Sequence, residues 1–150
     1  MVDVHDPATR SRNMAAIRGS HTKPEIMIRK TLHAAGFRFR LHVRDLPGKP
    51  DLVFPKYQAV IFVNGCFWHH HDCHLFKWPA TRDAFWREKI GRNVENDAMS
   101  VTRLQAMGWR VATVWECALR GKNRLAPTVV TERLTAWLKS DNETLTVRGE

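Results

Sequence analysis

Asp51-Leu52-Val53-Phe54-Pro55-Lys56-Tyr57-Gln58-Ala59-Val60-Ile61-Phe62-Val63 is the stretch from which the fold can be read. Ala59 to Val63 is apolar throughout and rich in β-branched residues, the pattern of a strand with no solvent-facing side. Asp51 to Phe54 opens a second strand just before it, and a turn near Pro55 separates the two. Upstream, Phe37, Phe39, Leu41 and Val43 alternate with Arg38, Arg40 and His42, which predicts a half-buried strand. Leu46-Pro47-Gly48-Lys49-Pro50 is a turn. Downstream, Arg110 to Val114 makes a fourth strand.

Helices frame these strands. Thr22-Lys23-Pro24-Glu25 is a helix start, with Thr22 as N-cap and Glu25 at the capping-box position. Ile28, Leu32 and Ala35 share a face, and Gly36 ends the helix. A long helix is expected from about Thr81 to Met107, with Ile90, Val94, Val101 and Leu104 inward and Gly108 closing it. A last helix covers roughly Pro127 to Lys139, with Val130, Leu134 and Trp137 or Leu138 inward. The order predicts an α/β domain, a mixed sheet covered by helices. Residues 1–20 read as a polar, basic arm, 21–139 as the domain, and 140–150 as a polar tail that frays.

The chain has 150 residues, with 24 Lys and Arg against 15 Asp and Glu, a net charge of +9. A surplus of that size in one domain favours a polyanion, and nucleic acid first, since each neutralised phosphate releases counterions. The N-terminus lacks the basic and apolar segments of a leader. No apolar run approaches the roughly 20 residues of a membrane span. The expectation is a cytoplasmic protein with no membrane partner. No dimerisation pattern stands out, so a monomer is expected.

The densest chemistry is Cys66-Phe67-Trp68-His69-His70-His71-Asp72-Cys73-His74. Three cysteines do not complete a disulfide framework, and thiols beside histidines in a reducing compartment point to zinc. Cys66, His71 and Cys73 are close enough for one loop to wrap an ion. Cys117, just past the fourth strand, is the remaining cysteine. Three Cys and one His fill a tetrahedron and make a structural site. Spacing alone does not say which of His69, His70, His71 and His74 binds.

Asp51, opening a strand after Gly48-Lys49-Pro50, can hold Mg²⁺ against a phosphodiester, because hard cations choose oxygen, but on its own it reads as an ordinary turn aspartate. Glu25 reads first as a capping residue, and a carboxylate there is compatible with organising a metal's water. A loop histidine left out of the zinc site is a candidate general base. Six tryptophans are present. Trp109, Trp115 and Trp137 sit in apolar patterns and read as core. Phe67, Trp68 and Trp86 lie among polar and basic residues, which suits stacking on bases or wedging between them, and equally a small cluster under the loop.

Longer motifs carry a resemblance. Val60-Ile61-Phe62, Gly65 to His71, Pro79-Ala80-Thr81-Arg82 with Phe85-Trp86, Glu88-Lys89-Ile90-Gly91, Asn93-Val94, Gly108-Trp109-Arg110-Val111 and Val114 to Gly121 resemble the very-short-patch mismatch repair endonucleases. So do Asp3-Val4-His5-Asp6 and Ala8-Thr9-Arg10-Ser11. The similarity covers roughly residues 1–139. It implies a restriction-endonuclease-like fold and Mg²⁺-dependent nicking of DNA 5′ to a thymine mispaired with guanine, the lesion left when 5-methylcytosine deaminates. It implies that Asp51 holds Mg²⁺, the backbone carbonyl of Val63 completes that site, His69 is the general base and Glu25 supports the metal's water shell. Cys66, His71, Cys73 and Cys117 would bind zinc. Phe67, Trp68 and Trp86 would insert from the major groove, Lys89 and Asn93 would read the mispair, and the arm with Met14 would close over the minor groove.

This chain departs from the family pattern at two places. Val63 stands where the family can have Thr, which is harmless if only the carbonyl is used. Asn64 stands where the family can have an active-site His, which removes a titratable group. The Glu-x-Lys element of the wider nuclease superfamily is also absent from the third strand. Two other readings fit parts of the sequence. A zinc-stapled DNA-binding protein leaves Asp51, His69 and Glu25 unexplained, and a nuclease built on the His run alone has no need of Asp51.

Overall fold

A computed structural model describes residues 22–150. The arm expected at residues 1–20, Met14 included, lies outside the described residues. The elements in chain order are α1 (Lys23–Ala34), β1 (Arg40–Leu41), β2 (Leu52–Phe54), β3 (Ala59–Asn64), α2 (Asp83–Ala106), β4 (Arg110–Trp115), α3 (Pro127–Leu138) and β5 (Thr144–Val147).

The helix ends obey the local chemistry of the sequence. Thr22 Oγ1 accepts the Glu25 N–H at 3.4 Å, capping α1. Gly36 takes a left-handed φ of +99°. Gly36 N–H donates to His33 and Phe37 N–H to Leu32, so the helix ends in a Schellman motif with Phe37 and Leu32 both in the core. Gly108, at φ +90°, ends α2 the same way, with Gly108 N–H on Gln105 and Trp109 N–H on Leu104.

The five strands form one mixed sheet in the order β1-β2-β3-β4-β5. β1 to β3 pair antiparallel, and β3-β4 and β4-β5 pair parallel through the α2 and α3 crossovers. Side chains alternate between two layers. Leu52, Phe54, Ala59, Ile61, Ala112 and Val114 face a cluster with Ile28 and Leu32 of α1 and Val130, Leu134, Trp137 and Leu138 of α3. Val53, Val60 and Val111 face the other way, against Leu104 of α2, with Phe62, Val101 and Trp109 partly buried beside them. The sheet is therefore covered on both sides, the α/β arrangement read from the apolar run at 59–63 and the restriction-endonuclease-like architecture implied by the resemblance.

Three expectations need correcting. The first strand shrinks to Arg40–Leu41, because Phe37 and Phe39 pack into the core as an irregular approach to the sheet. Trp115 is not a core residue: its ring stacks on His71. Residues 140–150 do not fray. Thr144 to Val147 add a strand parallel to β4, with Val147 fully buried and Leu145 against the core. Alternating threonine and aliphatic residues form a strand whenever an open edge is there to receive them.

Val147→Ala is expected to cost about 1–3 kcal/mol, and the outward-facing Thr146→Ala about 0.5 kcal/mol or less. Urea midpoints of the two variants check this, and equal costs would count against the fifth strand.

Candidate active site and metal centre

Among the described residues, two groups of ligating side chains converge: Cys66, His71, Cys73 and Cys117, and Glu25, His42 and Asp51. Both hang from one end of the sheet. The parallel register sets Asn64 opposite Trp115, so β3 and β4 leave the sheet side by side.

In the first group the four ligand atoms lie within 4.8 Å of one another. Cys66 Sγ and Cys117 Sγ are each 3.5 Å from His71 Nδ1. Sulfur accepts backbone amides: Cys117 N–H donates to Cys66 Sγ and Gly149 N–H to Cys117 Sγ, both at 3.3 Å. Such bonds favour the thiolate. Burial, and then Cys73 and Cys117 alongside, push the Cys66 thiol above its ordinary value, so a bound cation is what would draw the proton off. Burial first, then Arg148, lower the His71 pKa, which keeps the ring in its neutral, ligating form. Trp115 fixes that ring by stacking at 4.0 Å with planes 6° apart. A set of three sulfurs and one imidazole, all buried but the half-buried Cys73, can hold a metal ion in a structural role. The other loop histidines stand elsewhere: His70 packs on Phe76 and Trp78, and His74 faces Asn123.

The structure also shows why residues 140–150 matter to this centre. Arg148 Nη1 donates to Asp72 Oδ1 at 2.8 Å, and Glu150 N–H donates to Asn123. Any Cβ at position 149 would meet Cys117 O at 2.5 Å. Only glycine lets the chain pass close enough to reach the sulfur.

His42 and Asp51 of the second group line a cleft of about 900 Å³ that also holds Val63, Asn64 and His69 together with Phe67 and Trp68. Asp51 is 9% exposed. Its Oδ2 accepts the Val63 N–H at 2.6 Å. Burial pushes the Asp51 pKa up to about 6, against the Val63 amide, His42, His69 and Arg29, which pull it down. His69 Nδ1 is hydrogen-bonded to Asp97 Oδ2, which fixes the ring and leaves Nε2 as its second nitrogen. Glu25 is 1% exposed. Instead of completing a capping box, it binds Arg29 Nη2 and His42 Nε2.

The three aromatics come together. Phe67 meets Trp68 and Trp86 edge-on at 5.2 and 5.5 Å, and Trp68 lies 5.8 Å from Trp86. Phe76 stacks on Phe67. Phe85, 41% exposed, extends the group beyond Trp86, with Arg82 over its face. All three expected rings are only half-buried. Asn93 donates to the Trp68 carbonyl at 3.0 Å, and Lys89 is half-buried on the same helix.

Four residues of the site escaped the sequence reading: Arg29, His42, Asp97 and Glu116, whose Oε1 accepts the Cys66 N–H. Asp97 had a signal, since it follows Asn93 by one helical repeat on α2. His42 read only as a polar position in an alternating strand.

A helix-covered mixed sheet with a buried aspartate and a buttressed histidine in a cleft at one strand end defines a nuclease of the restriction-endonuclease-like class. The comparisons with known proteins are specific. The family model for DNA mismatch endonuclease Vsr matches residues 2–75. The chain is 54% identical over 138 residues to DNA mismatch endonuclease Vsr of Escherichia coli (strain K12), covering 92% of this chain and 88% of that one. It is 46% identical to the type II nicking enzyme V.XorIIP of Xanthomonas oryzae pv. oryzae, covering 79% and 88%. It is 42% identical to the type II nicking enzyme V.NmeAIP of Neisseria meningitidis, covering 81% and 87%. The chain belongs to the Vsr family of DNA mismatch endonucleases, and it is a nuclease that acts on DNA.

Cys117→Ser is expected to lose bound metal, measured by atomic emission, and to lower Tm by several degrees. Full metal content and unchanged Tm would remove Cys117 from the centre.

Asp51 yields a pH-dependent expectation. Its folded-state value, about 6, lies above the ordinary 3.8, so its contribution to stability is present at low pH and lost as pH rises through 6. The loss is about 3 kcal/mol at most. Without added divalent cation, Asp51→Asn should raise Tm at pH 8 relative to wild type, and by about half as much at pH 5. The same difference at both pH values would refute the burial argument.

Proposed function

We propose that this protein nicks one strand of duplex DNA on the 5′ side of a thymine mispaired with guanine, the first step of very-short-patch repair after 5-methylcytosine deaminates. The observation that carries the reading is the shared cleft, where Asp51, His69 backed by Asp97, and the exposed edge of the aromatic cluster lie together. The relatives whose names specify mismatch cleavage and nicking support it.

On this reading Asp51, with the Val63 carbonyl, holds Mg²⁺. The donor set suits a hard cation: a buried carboxylate with one oxygen committed to the Val63 amide and a pKa raised by burial. Bound there, Mg²⁺ supplies positive charge against the phosphate. His69 takes the proton of the attacking water. Its Nδ1–H donates to Asp97, which holds the ring in one orientation and stabilises the imidazolium that forms. The water oxygen bonds to phosphorus, one ester P–O bond breaks in line with it, and the leaving oxygen gains a proton. Glu25 acts at one remove, through His42. The sulfur centre holds Zn²⁺, the borderline-soft ion that three thiolates and one imidazole select. Phe67, Trp68 and Trp86 wedge beside the mispair, where unstacking costs least. Lys89 reads the mispair, and Asn93, which also pins the Trp68 carbonyl, does so from the same helix face. The enzyme works as a monomer in the cytoplasm.

The test uses two duplexes alike except for a single T·G mispair, assayed for strand-specific nicking with Mg²⁺ and with no divalent cation added. A Mg²⁺-dependent nick 5′ to the mispaired T is expected for wild type, falling at least 10³-fold (on the order of the loss when a charge-stabilising group is removed) in Asp51→Ala with DNA binding retained. Equal nicking of both duplexes, or nicking that survives Asp51→Ala, would overturn the reading.

A further inference from the structure

Three carboxylates, Asp51, Asp97 and Glu116, line the cleft that holds His69. A phosphodiester entering among them needs fixed positive charge to meet it. The arginines and lysines among the lining residues are Arg44, Lys49 and Arg120. Arg44 and Lys49 come from the loop between β1 and β2, on the same side as Asp51. Arg120 follows β4, on the far side of the His69 loop, two strand spacings or roughly 10 Å across the sheet.

Arg120 stands on a rigid turn. The Leu119 and Arg120 N–H groups both donate to the Glu116 carbonyl, at 2.9 and 3.0 Å, and Cys117, Ala118 and Leu119 are buried. Gly121 follows at φ +89°, where a Cβ would meet His74 Nε2 at 2.8 Å, so the turn is packed against the loop after β3. Glu116 aims the side chain. Its Oε1 accepts the Cys66 N–H at 3.2 Å, and its Oε2 lies 3.1 Å from Arg120 Nε. Contact through Nε uses the side of the guanidinium, not the Nη1–Nη2 end that matches two oxygens of a phosphate. As an ion pair alone the arrangement adds little to stability, because Arg120 is 64% exposed. What it secures is the direction of a cation at the rim of the cleft.

We propose that Arg120 is a phosphate-binding residue of the cleft, its Nη1–Nη2 fork gripping the phosphate 5′ to the mispaired thymine or an immediate neighbour, with Glu116 as its positioning residue. This rests on the reading of the cleft as the seat of the cut strand and deepens it. The strand then crosses the end of the sheet, held on the β2 side by Asp51 and its cation and on the β4 side by Arg120, with His69 between them. Because Glu116 also holds the Cys66 amide, the turn that carries the sulfur ligands sets the aim of the phosphate contact.

The test uses full-length, zinc-replete protein and the T·G duplex without divalent cation, so that nothing is cut. One phosphate at a time along the thymine strand is replaced by a neutral methylphosphonate, and affinity is read by fluorescence anisotropy. For wild type, neutralising the phosphate 5′ to the mispaired thymine or an immediate neighbour is expected to weaken binding about tenfold, the size of one charge-assisted contact. Arg120→Ala is expected to bind the unmodified duplex about tenfold more weakly and to lose no further affinity at that phosphate, while the other positions cost both proteins alike. Glu116→Gln removes a negative charge from the cleft and is still expected to shrink the loss at that phosphate. Zinc content and Tm verify that both variants are folded. Equal losses at every position for wild type and Arg120→Ala would overturn the inference and leave the proposed reaction standing. A loss that vanishes only at a phosphate remote from the mispair would overturn it as well. No position-specific loss in wild type would mean that the protein does not seat on the mispair, and would overturn both. A loss retained in full by Glu116→Gln would overturn the positioning role.

Discussion

The parallel pairing of β3 with β4 is the constraint on which the rest depends. Its six-residue register, Ala59 on Arg110 through Asn64 on Trp115, makes both strands leave the sheet at one end. Two residues further on in each chain stand Cys66 and Cys117. Parallel strands need a long crossover, and α2, with 24 residues, supplies it. That helix buries Leu104 against the sheet at its far end and carries Trp86, Asn93 and Asp97 beside the loop at its near end. One connection thus covers a face of the sheet and delivers part of the site. β2 runs antiparallel to β3, which brings Asp51 to the same end, beside Val63.

The loop after β3 serves both centres by interleaving. Cys66, His71 and Cys73 turn to the sulfur cluster, and Phe67, Trp68 and His69 turn to the cleft. The loop is too polar to hold itself by burial. Its own turns, His69 N–H on Gly65 and His71 N–H on Cys66, are short-range bonds that water would otherwise compete for. A metal held among the thiolates would contribute folding energy where the apolar core ends. β5 reinforces it from below, through the Gly149 amide on Cys117 and Arg148 on Asp72.

The sequence was most legible where physics is local. The apolar run at 59–63, the capping threonine and the glycines ending both long helices each act within a few residues, and each appears in the structure as read. β5 was not legible, because Thr144-Leu145-Thr146-Val147 becomes a strand only when the edge of β4 is open beside it. The cysteine set was legible from chemistry and the choice of His71 was not, since it turns on the ring that Trp115 can stack against. Glu25 misled for a similar reason. Its spacing from Thr22 fits a capping box, but half-buried Arg29 and His42 compete for its carboxylate and win. Asp97 and His42 act across sequence separations of 28 and 17 residues, and no local pattern reports contacts of that range.

On the proposed reading, recognition and chemistry are one residue apart. Trp68 belongs to the aromatic cluster and its carbonyl is held by Asn93. His69 follows it directly and is held by Asp97, one turn along the same helix. On the proposed reading, a wedge that enters the duplex carries the general base with it. A mispaired step unstacks at lower cost than a paired one, so a paired duplex would bind the basic surface and still leave Trp68 outside the stack. The base would then be displaced from the phosphate. A misplacement of about 1 Å is enough to cost on the order of 10²-fold in rate. Selectivity built this way appears in the rate of nicking more than in affinity. That suits a protein of net charge +9, whose attraction to every phosphate along the duplex cannot itself distinguish one base pair from another.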